Sequence, residues 1–184
     1  MFKSQNDLIL NEIKQVLSKI NESEVQQFVD EILAANTIVV CGAGRVGMAI
    51  RGFGMRLAHL GLKAFTLGDS VVPSISQGDV LIVASGSGET QTIYDLVSIA
   101  KKNNSKVLAV TGNPESRIGK LADSFVQVTA PSKTKQVDGF ASIQPMTTLN
   151  EQSLGLFFDT IVLLLMEKMS ESHDTMWARH SNLE

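Results

Sequence analysis

The stretch Ser85-Gly86-Ser87-Gly88-Glu89-Thr90 follows the apolar run Leu81–Ala84 and precedes a helical pattern that begins near Thr90. A buried strand that empties into a Gly/Ser turn and then a helix leaves backbone N–H groups unpaired at the helix start. The helix dipole favours negative charge at the same point. Gly86 and Gly88 allow close backbone approach, and Ser85, Ser87 and Thr90 add uncharged hydroxyl donors. The chemistry these residues suit is holding a phosphate. The stretch is not a P-loop, because no Gly-Lys-Ser/Thr follows. An ordinary β-to-α turn capped by Thr90, with Glu89 beside the dipole, is the alternative, and it needs neither so many hydroxyls nor both glycines.

Upstream, Gly42-Ala43-Gly44-Arg45-Val46-Gly47 matches G-x-G-x-x-G between a β-branched strand and a helix. Alone, the pattern is weak support for a dinucleotide. Asp69 lies past the end of the second strand, and no second region is left for a substrate. The preferred reading makes Gly42 and Gly44 a second glycine wall facing the same ligand, with Arg45 as its cation.

The elements that position these turns follow from periodicity. Residues 7–35 carry apolar positions at three- and four-residue spacing, which predicts two amphipathic helices broken near Asn21–Ser23. Strands are expected at Thr37–Cys41, Lys63–Thr66, Val80–Ala84, Lys106–Thr111 and Ser124–Val128. Helices are expected at Met48–Leu60, with Gly61 as C-cap, at Gln91–Asn103, and briefly after Ser116. The alternation gives an α/β fold, one doubly wound five-stranded parallel sheet with helices on both faces. Both glycine turns then lie at strand C-termini and can share one crevice. Residues 129–147 lack periodicity, and Lys133, Lys135, Gln136, Ser142, Gln144 and Pro145 suggest a wall or lid. Thr148 opens the last helix, with Glu151 at capping-box spacing. That helix is apolar nearly all round from Leu154 to Met166, so burial on every side is expected, partly against another copy. The tail around Trp177, Arg179, His180 and Leu183 reads as a segment that docks.

Composition sets the class. The chain has 184 residues, 43% hydrophobic and 19% charged, with net charge −3, which describes a globular domain and argues against nucleic acid as a partner. The single Cys41 forms no internal disulfide and reads as a small buried residue. His59, His173 and His180 lack close metal-ligand spacing, so no metal and no other cofactor is expected. No signal core is seen, and the apolar run Ile161–Met166 is too short to span a bilayer, so the reading is cytoplasmic and without membrane contact.

The cradle resembles the phosphosugar-binding loop of the sugar isomerase (SIS) domain family. Gly42-Ala43-Gly44-Arg45, Gly78-Asp79, Ser85–Thr90, Ser142-Ile143-Gln144-Pro145-Met146, Glu151-Gln152 and the closing Arg179–Glu184 together resemble the 6-phospho-3-hexuloisomerase family across nearly the whole chain. Val46, Asp69–Val72 and Ser181 depart from its pattern. The resemblance implies a single SIS domain over residues 1–184, with helices at 1–35, a flavodoxin-like core at 36–170 and a tail at 171–184 that contributes to an active site. It also implies a phosphorylated ketose substrate and a homo-oligomer, dimer or tetramer. The implied reaction interconverts D-arabino-hex-3-ulose 6-phosphate and fructose 6-phosphate, beside a synthase that fixes formaldehyde in the ribulose monophosphate pathway.

Moving a carbonyl between neighbouring carbons needs a base, a polarising donor and exclusion of water. Glu151, at a helix start on the crevice side, is the candidate base, and its alternative role is the capping box itself. His180 is the candidate acid/base or hydroxyl-proton shuttle, its alternative being a docking or exposed tail residue. An isomerase of another phosphosugar, such as a pentose 5-phosphate, and a non-catalytic sugar-phosphate sensor remain as other readings.

Overall fold

The computed structural model describes residues 1–131, 137 and 140–183. In chain order the elements are α1 (Phe2–Leu17), α2 (Glu22–Ala34), β1 (Ile38–Gly42), α3 (Gly44–His59), β2 (Ala64–Thr66), β3 (Val80–Ser85), α4 (Gln91–Lys102), β4 (Lys106–Thr111), α5 (Arg117–Leu121), β5 (Ser124–Gln127), α6 (Thr148–Met169) and α7 (His173–Trp177). All paired strands run parallel, in the order β2-β1-β3-β4-β5. The order reverses between β1 and β3, and ligands of such sheets lie at that switch point, outside the strand C-termini.

The strands are continuous apolar runs because both faces are covered. Ile38, Val40, Val80, Ile82, Ala84, Leu108 and Val110 pack beneath α1, α2, α3 and α6. Val39, Cys41, Leu81, Val83, Val107 and Ala109 face α4 and α5. Burial pushes the Cys41 thiol up to about 11, which fits a packing residue and not a nucleophile. Helix starts follow local caps: Asn21 accepts the Ser23 N–H, and Ser116 accepts the Gly119 N–H.

Two helix starts differ from the sequence reading. Helix α3 begins at Gly44, not Met48, because Gly44 takes φ +58 and turns the chain at once from strand to helix. Helix α6 has Thr147 as N-cap with no side-chain cap bond, so Glu151 sits one position too late for a capping box. Within the single chain α6 is covered on one side, and the sequence reading leaves the rest to another copy. Leu154, Phe157, Phe158, Ile161 and Leu165 enter the core, but Leu156 is 43% and Leu163 65% exposed. A sheet covers only one side of a helix laid on it. By length and composition α6, with mean hydropathy 1.3, could cross a membrane, yet half of that window is buried in the core.

Candidate functional site

β3 ends at Ser85, whose buried hydroxyl is turned inward. It accepts the Gly88 N–H at 3.1 Å and lies 3.0 Å from the Thr90 hydroxyl. Ser87 Oγ accepts the Glu89 N–H at 3.2 Å. With these bonds made, the N–H groups of Ser87, Thr90, Gln91 and Thr92 have no hydrogen-bond partner among the described residues. Four open donors at a helix start are what an anion cradle at this turn requires.

The glycines serve packing as well as approach. A Cβ on Gly86 would stand 2.7 Å from Asn150 Oδ1 on α6, and one on Gly88, at φ +67, would stand 1.9 Å from Ser116 Oγ. The turn is therefore clasped by α6 on one side and by the start of α5 on the other. Glu89 is bound to Arg117 at the start of α5. Its carboxylate accepts from Arg117 Nε at 2.7 Å and from the Arg117 N–H at 3.0 Å. The Arg117 side-chain bond, then the backbone bond, hold the Glu89 carboxyl below its usual value. Arg117 also donates to the Glu89 carbonyl and lies over Tyr94 at 4.6 Å. Glu89 thus serves the shape of the cradle.

The second glycine wall stands beside the first, because Gly42 pairs in register with Ala84. Gly47 is required by contact: a Cβ there would meet the Gly42 carbonyl at 2.6 Å. Close strand–helix packing therefore accounts for the G-x-G-x-x-G spacing, and Asp69 is paired with Arg51 at 3.1 Å. Arg45, on the first turn of α3, places Nη1 2.9 Å from Glu151 Oε2 and 3.2 Å from Thr148 Oγ1. The other carboxylate oxygen of Glu151 accepts from Thr147 Oγ1 at 2.7 Å. The Glu151 side chain is 14% exposed. A carboxylate so held can take a proton from a ligand seated on the cradle, which Asn150 links to the same helix start. A cavity of about 160 Å³ lined by Gly42, Ala43, Arg51 and Thr92 opens at this end of the sheet. A larger one, about 420 Å³, lies at the opposite edge among Glu31, Asp79, Lys101 and Lys106. The switch point and the open donors favour the first end.

His180 is not brought to this crevice within the chain. It stacks on Trp177 at 5.0 Å and meets the His59 ring at a tilt, 5.2 Å away. His59 ends α3 and Arg45 begins it, so the helix separates them by about 21 Å at its usual rise per residue. The tail docks as expected through Arg179, which donates to the His59 carbonyl at 3.0 Å and pairs with Glu171. Within the single chain Trp177 and Leu183 are 64% and 93% exposed.

Three contributors escaped the sequence reading. Asn150, 2% exposed, stands against Gly86, and Arg117 braces the cradle. Glu12 of α1, 8% exposed, accepts from Ser142 Oγ, the Ile143 N–H and Gln144 Nε2 at 2.8–2.9 Å. Burial alone would raise its carboxyl, but the bonds from Ile143, Gln144 and Ser142 outweigh that and hold it below its usual value. The 129–147 segment is thus bound down at its C-terminal end. Lys133, Lys135 and Gln136 lie outside the described residues. Among the described residues no cluster of three or more His, Cys, Asp or Glu could hold a metal ion.

The SIS domain family matches residues 31–155. The 3-hexulose-6-phosphate isomerase of Bacillus subtilis (strain 168) is 40% identical over 176 residues, 96% of this chain and 95% of that protein. The enzyme of the same name from Mycobacterium gastri is 34% identical over 96% of this chain and 88% of its own. Among solved structures, a hypothetical protein of Methanococcus jannaschii, inferred to be a 3-hexulose-6-phosphate isomerase, superposes with TM-score 0.85 at 26% identity, covering 98% of this chain and 99% of that one.

Proposed function

This chain belongs to the SIS domain family, and we propose that it is an isomerase interconverting D-arabino-hex-3-ulose 6-phosphate and D-fructose 6-phosphate. The observation that carries this reading is the single crevice in which open N–H donors of Ser87–Thr92 stand beside a carboxylate held by Arg45. The phosphate rests on those donors. Glu151 takes the proton from C2 of the 3-ulose, giving a 2,3-enediolate, and a proton returns to C3. The hydroxyl proton passes from O2 to O3, which is the task given to His180. No redox change occurs, and no cofactor is needed for the proton balance. Similarity to the named isomerases supports this sugar over a pentose phosphate.

The same reading makes residues 1–184 one SIS unit with its tail lent to a neighbour, in a dimer or tetramer. Met48 and Met55 of α3 and Leu156 and Leu163 of α6 are exposed, and an apolar stripe on two helices packed together suits a second copy. Cytoplasmic placement follows from the phosphorylated substrate and the lone reduced thiol of Cys41.

Incubation with fructose 6-phosphate in deuterated water tests the assignment by NMR. The expected result is a 3-ulose signal and deuterium at C3. Saturable binding without either would establish the sensor reading instead.

A further inference from the structure

We propose that Glu12, on a helix remote from the crevice, is a positioning residue of the active site, acting through the segment Ser142–Thr148 on Glu151 and Arg45. The inference rests on the assignment of Glu151 as base. A buried carboxylate is costly unless it is satisfied, and Glu12 makes no ion pair among the described residues. It spends its oxygens on one stretch of chain instead. Oε1 accepts the Ile143 N–H at 2.8 Å, and Oε2 accepts Ser142 Oγ at 2.8 Å and Gln144 Nε2 at 2.9 Å. Ser142 Oγ in turn accepts the Gln144 N–H at 3.1 Å, so the segment is wrapped round the carboxylate.

The clamp leads straight into the site. Immediately after Gln144 the Thr148 N–H donates to the Pro145 carbonyl at 3.2 Å, and Met146 takes φ +58, a conformation that a side chain resists. The next two residues supply the hydroxyls of the ion pair: Thr147 to Glu151 and Thr148 to Arg45. Helix α6 has no side-chain cap of its own to fix where it starts. The turn that starts it is fixed from outside, by Glu12. This gives α1, which a doubly wound sheet does not require, a part in the reaction.

The test is a set of variants assayed as the assembled enzyme. Glu12→Ala is expected to lower kcat roughly 10- to 100-fold, since a base displaced by about 1 Å loses that much, while KM and inhibition by inorganic phosphate stay within about 3-fold because the cradle is untouched. Glu12→Gln sets an amide N–H₂ against a donor and is expected to lose activity too. Adding Gln144→Glu to it restores a donor–acceptor match and recovers most of kcat. Hydrogen exchange is read in parallel, and Glu12→Ala quickens it over residues 143–151. Wild-type kcat with wild-type exchange refutes the clamp. So does loss of kcat together with loss of phosphate inhibition and melting temperature, which makes Glu12 a general support of the fold. If the wild-type enzyme shows no turnover yet exchange still quickens at 143–151, the clamp stands and the assigned reaction falls.

Discussion

Arg45 Nη1 and Glu151 Oε2, more than a hundred positions apart in the chain, lie 2.9 Å apart where the first turn of α3 meets the first turn of α6. The pair joins the glycine wall of β1 to the candidate base. Arg45 is 53% exposed, so its contribution to stability is small, about 0–1 kcal/mol. Its effect on the proposed reaction is larger, because it orients the carboxylate. Arg45→Ala is expected to reduce kcat/KM by roughly 10- to 100-fold with little change in melting temperature. A variant with unchanged kcat/KM, or one lost only through unfolding, would overturn the orienting role.

The two cradle glycines should respond differently to the same change. Gly86 has ordinary backbone geometry, and its conflict is with one side chain, Asn150. Gly86→Ala is expected to cost about 1–3 kcal/mol by overpacking, and Asn150→Ala in the same chain should recover most of that. Gly88 combines φ +67 with a wall of Ser116 and Thr111. Gly88→Ala is expected to cost at least as much, with no rescue from Ser116→Ala, since the backbone itself is strained. Urea unfolding of the single and double variants measures both. Equal rescue at the two sites would show that the backbone conformation of Gly88 is not the constraint.

What was legible in the sequence was local. The cradle was readable because strand, Gly/Ser turn and helix follow one another within a dozen residues, and backbone N–H groups at such a junction have few other uses. The sheet was readable because β1, β3 and β4 are apolar runs set between amphipathic helices. What stayed hidden depends on distant partners. Glu12 on an amphipathic helix looks like any solvated residue until the 142–144 segment folds over it. Asn150 differs from a capping residue only by standing against Gly86. The capping-box reading of Glu151 failed by one residue, because Thr147 and Thr148 are chemically alike and only the backbone decides which one caps. Which face of α6 the chain itself covers stayed hidden too, because composition reports how apolar a helix is, not how much surface its neighbours can cover.

Acid should loosen the fold through Glu12. Its folded-state value lies below the ordinary carboxylate value, so the unfolded chain binds the proton more readily. The sign follows: its stabilisation is fully present above the unfolded value, about 4.3, and is lost as pH falls through the lower folded value. Urea unfolding from pH 7 to pH 3 is expected to show falling stability below about pH 5, with a shallower fall in Glu12→Gln. Glu89 and Glu171, held below their usual values by bonds from Arg117 and Arg179, act in the same direction. Identical pH slopes for the wild type and Glu12→Gln would show that the Glu12 carboxylate is not held in the folded state as described.

His180 presents the sharpest test of the assembly. It lies at the far end of α3 from Arg45 and Glu151, so no side-chain rotation brings it into its own chain's crevice. Its Nδ1 lies 2.9 Å from the Ser181 carbonyl, which sets that nitrogen as the N–H, and the ring lies between Trp177, on which it stacks, and the tilted ring of His59. Trp177 and Leu183 beside it are exposed, as they would be on a segment whose apolar contacts come from a second copy. Under this reading His180→Ala keeps the oligomer and its melting temperature but lowers kcat by roughly 10²–10⁴. Complementation then separates a shared site from a local one. Glu151→Gln and His180→Ala are each expected to be nearly inactive. When their subunits exchange, a mixed pair holds one crevice with an intact Glu151 and a partner's intact histidine. Activity should return to roughly a quarter of the wild-type value in a one-to-one mixture of dimers. No recovery after proven subunit exchange would confine His180 to its own chain, too far from Glu151 to handle the proton. Normal turnover by His180→Ala would remove it from the reaction altogether.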